Sequence, residues 1–292
     1  TAPATPAEDK RHSRAAAKKD GEESKAYEKV KLARNENRPH FLDYAAGMTE
    51  NWTALAGDRL FAEDPALVGG ICYFRGIPAV MLGQELGRTI ETRQKHRFGM
   101  PNPEGYRKAQ RLMRLAERFG LAVISLVDTT GAFAGREAEE RGQSEAVART
   151  MQVGLSIRAP YVAVIVGQGG SGGAIAIATA DKILMLENAI YSVIAPESCA
   201  SILWKDNKFA PQASEAMKLT AQDLAELNII DEIVPEPAGG AHRDWQAAME
   251  LLSDAIAKNL EGIMKTERAE LPDARAKKFF AMTRDVERRF EG

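Results

Sequence analysis

The sequence is poor in cysteine: its 292 residues include only Cys72 and Cys199. Two thiols cannot form a four-cysteine zinc site or a dense disulfide framework. Their low number also fits a reducing compartment, where disulfides rarely persist. We therefore expect no metal on this chain. We also expect a core stabilised by packing, because a chain of this length can bury a sizeable one.

Long hydrophobic runs are absent as well. The most apolar segments are Leu121–Val127, Tyr161–Val166 and Ala174–Ala180, and each is far shorter than the ~18 residues of a membrane-spanning helix. The opening residues 1–4 lack the basic and apolar regions of a secretory signal. We therefore expect a cytoplasmic protein with no membrane partner.

An excess of charge of one sign is also missing. The formal net charge is -2 at pH 7, although 27% of the residues are charged. This balance argues against a broad surface for polyanions, so we expect no nucleic-acid partner. Residues 1–38 differ from the rest, because ten Lys/Arg and seven Asp/Glu crowd into them. Ser13–Ala33 is rich in helix formers but lacks a wide apolar face. We predict a charged N-terminal arm, either frayed and disordered or a helix that orders only against a partner chain.

From about His40 onward, apolar strands alternate with helical patterns. Leu121–Val127 and Tyr161–Val166 are continuous apolar segments, which are typical of parallel strands covered on both faces. The turn Arg75-Gly76 between two apolar runs predicts a hairpin. Further strands are predicted at Val68–Phe74, Ile77–Leu82, Ile183–Leu186 and Tyr191–Ile194, and helices at Glu104–Phe119, Arg136–Ser156, Gly172–Ala180, Pro196–Trp204, Gln212–Met217 and from Arg243 to Ile263. The pattern predicts an α/β domain over residues 39–263 and a C-terminal amphipathic helix within residues 264–292.

Five glycines crowd into residues 167–173, between a predicted buried strand and a predicted helix. Glycine lets a ligand approach the backbone closely, and the first turn of a helix offers unpaired N–H groups to a phosphate, carboxylate or oxyanion. Three other interpretations stay open. The glycines could serve helix–sheet packing alone. Gly167, Gly169 and Gly172 match a dinucleotide fingerprint, and Ser171 matches a nucleophile elbow that would need a histidine base.

Two further segments are candidates for a site. Asp128–Gly135 follows a predicted buried strand, and ligand sites in parallel α/β proteins lie at such strand ends. Phe98–Lys108 is a turn that leads into a helix, with Glu104 in its first turn. Each segment is ambiguous by itself, and the order of the segments along the chain decides the interpretation.

That order resembles the alpha subunit of the bacterial acetyl-CoA carboxylase carboxyltransferase. The resemblance covers about two-thirds of the chain, and several blocks in the family's order are far more specific than one glycine loop. The matching blocks are Arg38-Pro39 with Leu42–Tyr44, Leu55–Arg59, Val68–Ile71, Phe98–Pro101, Pro103–Ala109, Ala138–Ala146, Gly169–Ala174, Cys199–Lys205 and Pro235–Arg243.

The resemblance implies a crotonase-type fold, which is a spiral of β-β-α units with surrounding helices. It also implies that a beta-type subunit of the same fold completes the active site, so this chain alone should be inactive. A biotin carboxyl carrier protein would present carboxybiotin, which donates CO2 to the enolate of an acyl-CoA thioester, with acetyl-CoA as the first candidate. We expect a stoichiometry of two alpha and two beta subunits (α2β2). The zinc ribbon of the family's beta subunit has no counterpart in this sequence.

The resemblance also assigns site residues. The backbone N–H groups of Gly172 and Gly173 would form the oxyanion hole for the ureido oxygen of biotin. Residues expected to bind substrate or biotin are Gly169, Gly170, Ser171, Ala174, Gly131, Ala132, Phe133 and Gly135. Basic residues expected near the CoA moiety are Arg88, Arg97, Arg107 and Lys108. A side chain at Gly173 should block the ligand more than it disturbs folding, whereas the Ser171 hydroxyl should be dispensable.

Several residues near the expected site depart from the family's usual pattern. Thr130, Phe133 and Ala134 replace Pro, Tyr and Pro, Gln168 replaces a glutamate, and Ser198 and the basic segment of residues 85–100 also differ. Loop residues at such places tend to serve function. Two alternatives therefore stay open. One is reverse transfer or decarboxylation of a malonyl thioester, and the other is a non-catalytic alpha-like partner subunit. A hydratase or isomerase of the crotonase type would instead need carboxylates over the thioester, with Glu139, Glu140 and Glu145 as candidates.

Overall fold

The computed structural model describes the backbone of residues 24–290 and the side chains of residues 24–282. Its strands are β1 (Glu50–Ala54), β2 (Leu67–Phe74), β3 (Ile77–Gln84), β4 (Ala122–Thr129), β5 (Tyr161–Gly170), β6 (Lys182–Leu186), β7 (Ile190–Ser192) and β8 (Glu232–Val234). Its α-helices are α1 (Lys25–Ala33), α2 (Phe41–Met48), α3 (Ile90–Lys95), α4 (Pro103–Phe119), α5 (Arg136–Glu140), α6 (Gln143–Ser156), α7 (Ser171–Ile175), α8 (Pro196–Trp204), α9 (Ala210–Met217), α10 (Ala221–Glu226), α11 (Trp245–Ile263) and α12 (Leu271–Phe290). None of the helices in this part of the chain is long and apolar enough to cross a bilayer.

The described strands form one sheet in the order β1-β2-β3-β4-β5-β6-β8, with β7 beside the end of β5. β1, β2 and β3 pair antiparallel, and the remaining pairs are parallel. The predicted hairpin is confirmed as β2–β3. Arg75 and Gly76 form its turn with φ values of 47° and 78°, the left-handed backbone that two-residue hairpin turns favour.

The core of the protein lies on the parallel strands. All eight residues of β4 are buried, as are the first seven of β5. Helix α4 covers the sheet with an apolar face that includes Tyr106, Leu112 and Met113, each fully buried. Continuous burial on both faces explains why these strands read as unbroken apolar runs, and it confirms the predicted α/β class.

Two predicted helices have different bounds in the structure. The helix predicted over Arg136–Ser156 is split into α5 and α6, because the chain turns at Gly142 with a φ of 82°. The helix predicted over Gly172–Ala180 is shorter and ends at Ile175 as α7. The strand before it is longer than predicted, since pairing with β7 extends β5 through Gly170.

Part of the predicted N-terminal arm is a helix that packs on its own chain. Val30 and Ala33 of α1 are buried in a small apolar cluster with Ile190 and Leu219. Ser24 caps α1 and also donates a 2.8 Å hydrogen bond to Glu215. The expectation that the arm orders only against a partner chain is therefore wrong for α1. Residues 1–23 of the predicted arm lie outside the described residues.

The C-terminal helix is present as α12 and docks on the body of the protein. The buried Arg275 side chain forms an ion pair with Asp181, with its Nη2 atom 2.8 Å from Oδ2. Lys278 contacts Asp231 in the same way at 2.5 Å. The division of the chain into an arm, a domain and a tail at residues 38 and 263 stays a prediction.

Candidate active site

The glycine-rich segment is divided between a strand and a short helix. β5 runs through Gly167, Gly169 and Gly170, and the five-residue α7 begins at Ser171. Ser171 has a left-handed φ of 52°. A helix this short adds little macrodipole, so the donors it can offer are the N–H groups of its first turn, which have no partner inside the helix.

The glycine-rich segment lies against the loop that follows β4. A Cβ atom on Gly170 would collide with the carbonyl oxygen of Thr130. A Cβ atom on Gly173 would lie 2.6 Å from the backbone nitrogen of Ala132. The structure therefore brings these two predicted segments together, as their positions after neighbouring parallel strands indicate. Close backbone packing accounts for glycine at both positions.

Gly172 and Gly173 differ in the space around them. Gly173 is buried, and its added Cβ would also lie 3.0 Å from the Tyr106 hydroxyl, which has no hydrogen-bond partner. An added Cβ on the half-buried Gly172 would meet only Val147 Cγ1, at an ordinary 3.5 Å. A side chain at Gly173 would therefore disturb the fold, and the expectation that it blocks the ligand more than it disturbs folding stays a prediction. Packing does not require glycine at position 172.

The loop after β4 is joined to the turn before α4. The Phe133 N–H donates to the Pro101 carbonyl at 3.0 Å, and the amide of Gln143 donates to the carbonyls of Pro101 and Phe133 at 2.8 and 2.9 Å. The Arg97 guanidinium lies 5.0 Å from the Phe133 ring centroid. Nothing lies within 4 Å of the position of a Cβ on Gly131, so open space adjoins this loop.

The remaining predicted binding residues line the same region or support it. Gly169 pairs with Thr129 in the sheet, and Ala174 is a fully buried residue of α7. Gly135 precedes α5, and an added Cβ there would collide with the Phe133 ring. All eight predicted substrate- or biotin-binding residues thus belong to two segments in contact, the loop after β4 and the junction of β5 with α7.

The four predicted basic residues are not brought together as one patch. Arg107 pairs with Asp58 at 2.8 Å, and the buried Lys108 pairs with Glu63. These two side chains are therefore engaged by carboxylates of their own chain. The exposed Arg88 pairs with Asp43 and lies over the Trp245 ring. Of the four, Arg97 lies against the loop after β4.

A cleft of about 200 Å³ opens beside the ends of β4 and β5. Nine of its twelve lining residues are polar or charged: Arg34, Asn35, Glu36, Arg38, His40, Arg93, Asp128, Thr130 and Gln168. A smaller depression shares Arg34, Thr130 and Gln168 with the cleft and extends to Gly169 and Gly170. The groove so formed runs from α1 to the residues that precede the first turn of α7.

His40 and Asp128 meet in this cleft, and the sequence patterns did not single out His40. His40 is 4% exposed and neither ring nitrogen has a hydrogen-bond partner. Its Nδ1 atom is 3.9 Å from Asp128 Oδ2, while Asp128 Oδ1 accepts the Gln168 N–H at 2.8 Å. His40 lies outside any strand-end motif, so only the fold reveals its place.

An ion pair next to the cleft is almost completely buried. Two guanidinium nitrogens of Arg38 each lie 2.8 Å from a carboxylate oxygen of Glu236. Burial alone would raise the pKa of Glu236, but the hydrogen bonds and charge of Arg38 outweigh it and lower that pKa to about 2. Arg38 also donates to the Val166 carbonyl at 2.9 Å, which ties this pair to β5.

The structure does not support the hydrolase and hydratase interpretations. Among the described residues, no histidine side chain hydrogen-bonds to Ser171; His96, for example, contacts the Pro65 carbonyl. Glu140 forms an ion pair with Arg136 in α5 instead, and Glu145 forms one with Arg149 in α6. Nor does this part of the chain contain a cluster of three or more His, Cys, Asp or Glu able to hold a metal ion.

Comparison with solved structures defines the class of the fold. A transcarboxylase 12S structure with methylmalonyl-coenzyme A bound has a TM-score of 0.65 at 14% identity, over 86% of this chain and 47% of that chain. The beta subunit of geranyl-CoA carboxylase from P. aeruginosa has a TM-score of 0.58 at 18% identity, over 83% and 47%. A Pseudomonas malonate decarboxylase hetero-tetramer gives 0.61 at 15% identity, over 77% and 90%. The chain thus spans about half the length of the first two and has the crotonase-type fold of such carboxyltransferases, as predicted.

Sequence comparison then identifies the family. The chain belongs to the acetyl co-enzyme A carboxylase carboxyltransferase-like family, which matches residues 8–283. An acetyl-coenzyme A carboxylase carboxyl transferase subunit alpha of Methylobacterium nodulans is 56% identical over 258 residues, or 88% of this chain and 81% of that protein. A protein of the same name from Sphingopyxis alaskensis is 55% identical, over 88% and 82%. The resemblance inferred from the motifs is confirmed.

Proposed function

We propose that this chain is the alpha subunit of a biotin-dependent carboxyltransferase that transfers a carboxyl group to an acyl-CoA, with acetyl-CoA as the first candidate acceptor. Family membership supports the reaction class. The observation that carries the site assignment is the contact between the loop after β4 and the first turn of α7, at the end of an open groove.

The backbone N–H groups of Gly172 and Gly173 are proposed to donate to the ureido oxygen as negative charge develops there. Donors held in place before the reaction stabilise such charge strongly, and loss of one lowers kcat by about 10²–10³-fold. The residues present fit a biotin ureido ring, because open space adjoins Gly131 and the groove offers both donors and acceptors. When bound, carboxybiotin supplies the carboxyl group that is transferred.

The other loop residues are proposed to shape the groove. Gly131, Ala132 and Phe133 would form one wall, and the backbone from Gly169 to Ala174 the other. Arg97 is the basic residue that we propose for the CoA phosphates, since it lies against Phe133. Arg88 would have to leave its pair with Asp43 to take that role.

We propose that a beta-type subunit completes the site and that a biotin carrier protein delivers the carboxyl group. Two relatives carry the name subunit alpha, which supports a partner. The assembly is proposed to hold two alpha and two beta subunits and to work in the cytoplasm. Support for the tetramer comes from the fold shared with a malonate decarboxylase hetero-tetramer.

A second candidate is decarboxylation of a malonyl thioester, or transfer in the reverse direction. Gln168, which stands where the family has a glutamate, accepts a 2.9 Å hydrogen bond from Arg34 in the groove. A neutral amide there leaves less negative charge near an incoming carboxylate than a glutamate would. The free carboxylate of a malonyl substrate would therefore meet less electrostatic repulsion in the groove.

The test compares Gly172→Val with Gly262→Val in the complex with the beta-type partner. A Cβ atom at Gly172 meets only Val147 at an ordinary distance, and in the proposed site a side chain there would crowd the reacting oxygen; Gly262 in α11 has nothing within 4 Å of its Cβ position. We expect Gly172→Val to lower turnover about 100-fold or more, while Gly262→Val and Ser171→Ala keep wild-type rates. Carboxybiotin with acetyl-CoA or propionyl-CoA, and malonyl-CoA with biotin, distinguish the acceptor and the direction.

Three outcomes would argue against the proposal. Normal rates for Gly172→Val would contradict the assignment of the oxyanion hole to the first turn of α7. Inactivity of Ser171→Ala, with trapping by a fluorophosphonate, would favour a serine hydrolase. A wild-type complex without turnover on any of these substrates would favour the non-catalytic subunit. Thermal melting of each variant provides the folding control.

A further inference from the structure

Helix α7 has only five residues, so its own N–H groups cannot hydrogen-bond all of its carbonyl groups. The Ala176 N–H donates to the Gly172 carbonyl at 3.0 Å, and the Ile177 N–H donates to the Ala174 carbonyl at 3.2 Å. Neither bond uses the carbonyl of Gly173, which lies between them in sequence. Glycine has unusual backbone freedom, so a glycine aimed at a ligand needs an external contact to keep its orientation.

Gln84 provides that contact. It lies at the carboxyl end of β3 and is fully buried. Its Nε2 atom donates to the Gly173 carbonyl at 3.1 Å, and its Oε1 atom accepts the Asp128 N–H at 3.1 Å. The amide carries a donor and an acceptor on one flat group, so the Gln84 side chain makes both bonds at once.

We propose that Gln84 is a positioning residue, which fixes the Gly173 backbone so that the first turn of α7 meets the reacting oxygen. The proposal rests on the oxyanion hole proposed above. Gln84 joins three parts of the site, because it connects β3 to the end of β4 and to α7. Preorganised donors lose their effect when displaced, and a misplacement of ~1 Å can lower the rate about 100-fold.

The segment that follows α7 is held by other side chains. The Ser125 and Tyr161 hydroxyls each donate to the Ile177 carbonyl at 2.6 Å, and both side chains are fully buried. Loss of either leaves the other bond in place. In contrast, Gln84 is the side chain that holds the Gly173 carbonyl. The effect of Gln84 should therefore be specific to the first turn of α7.

Gln84→Met tests the proposal, because methionine has a similar shape without the amide. Gln110→Met is the matched control. Gln110 is 6% exposed and donates to the Ala146 carbonyl at 3.2 Å and to the Thr150 hydroxyl at 3.1 Å, between α4 and α6 and outside the groove. Both variants lose a buried amide with two hydrogen bonds.

Two measurements are made on each variant. Hydrogen–deuterium exchange on the purified chain reports on residues 170–178, and steady-state kinetics on the complex with the beta-type partner reports kcat and KM. We expect Gln84→Met to speed exchange in residues 170–178 and to lower kcat about 10–100-fold with KM within twofold. Gln110→Met should change neither exchange in that segment nor kcat, although both variants should melt at lower temperatures.

Unchanged exchange in residues 170–178 for Gln84→Met would overturn the positioning role, whatever the kinetics. Faster exchange with an unchanged kcat would overturn the link between this position and catalysis. If Gln110→Met lowered kcat equally, the loss in Gln84→Met would follow from lower overall stability. That result would also overturn the proposal. If the wild-type complex has no turnover, the proposed function fails, and the exchange measurement still decides whether Gln84 orders the turn.

Discussion

At the scale of single residues, the ion pair between Arg38 and Glu236 is almost completely isolated from water. The two side chains are 2% and 1% exposed. Glu236 also accepts the Ala241 N–H at 2.6 Å and the Asn188 N–H at 2.9 Å. Every partner favours the ionised carboxylate, which explains how its pKa falls to about 2 despite burial.

Glu236→Gln should lower the free energy of unfolding by about 3–5 kcal/mol at pH 7, because it leaves the Arg38 charge buried without its partner. The pKa of Glu236 lies below its ordinary 4.5 in the folded state. The stabilisation is therefore complete above pH 4.5 and is lost as the pH falls towards 2. Urea unfolding at several pH values should show the difference between wild type and variant shrinking through this range.

Glu140→Gln is the control for this prediction. Glu140 pairs with Arg136 on the surface, where the two side chains are 58% and 90% exposed. Exposed pairs contribute about 0–1 kcal/mol, so this variant should unfold almost like the wild type. Equal losses in the two variants, or a loss in Glu236→Gln that does not depend on pH, would contradict the electrostatic explanation.

At the scale of elements, Arg275 makes several buried contacts between α12 and the body of the protein. Its guanidinium donates to both Asp181 carboxylate oxygens at 2.9 and 2.8 Å. It also donates to the carbonyls of Gly154, Ile157 and Ala159 at 2.5, 3.1 and 3.1 Å, at and beyond the end of α6. One side chain from α12 thus satisfies carbonyl groups that the end of a helix leaves without partners.

Arg275→Met should therefore destabilise the fold by about 3–5 kcal/mol, because Asp181 and several carbonyls lose their buried donor. Lys277→Met is the matched control on the same helix, since Lys277 is exposed. Surface changes of this kind stay within about 0.5 kcal/mol. Chemical denaturation of both variants measures the difference. If Arg275→Met lost no more stability than Lys277→Met, α12 would not depend on this contact.

At the scale of the whole molecule, the proposed reaction needs two separate sets of hydrogen-bond donors. Carboxyl transfer develops negative charge on two oxygens, the ureido oxygen and the thioester oxygen, and each needs its own set of donors. The site proposed here supplies one set, at Gly172 and Gly173. In the proposed function, the beta-type partner supplies the second set.

The purified chain alone should therefore show no measurable carboxyl transfer, and co-expression with the beta-type subunit should restore it. Turnover of carboxybiotin with acetyl-CoA measures the activity, and light scattering after gel filtration measures the mass of the complex. A mass equal to two alpha and two beta chains is expected. Robust turnover by the isolated chain would refute the shared site.

The element types could be predicted wherever local patterns are strong. The β2–β3 hairpin, α4, and the buried strands β4 and β5 follow from turn residues, helical periodicity and continuous apolar runs. The bounds of α7 could not be predicted, because pairing with the distant β7 extends β5 into the glycines. α1 was misjudged for a similar reason, since its small apolar face becomes stable only beside Ile190 and Leu219.

The sequence by itself determined the fold class, the family and the two segments that meet at the candidate site, because motifs and periodicity act over short stretches of chain. Only the tertiary structure decided which glycine has room for a side chain, that Lys108 is engaged by Glu63, and that His40 faces Asp128. It also placed Gln84 against Gly173, 89 positions away. Contacts of this kind depend on the order of strands in the sheet, which brings distant segments together without leaving a local pattern in the sequence.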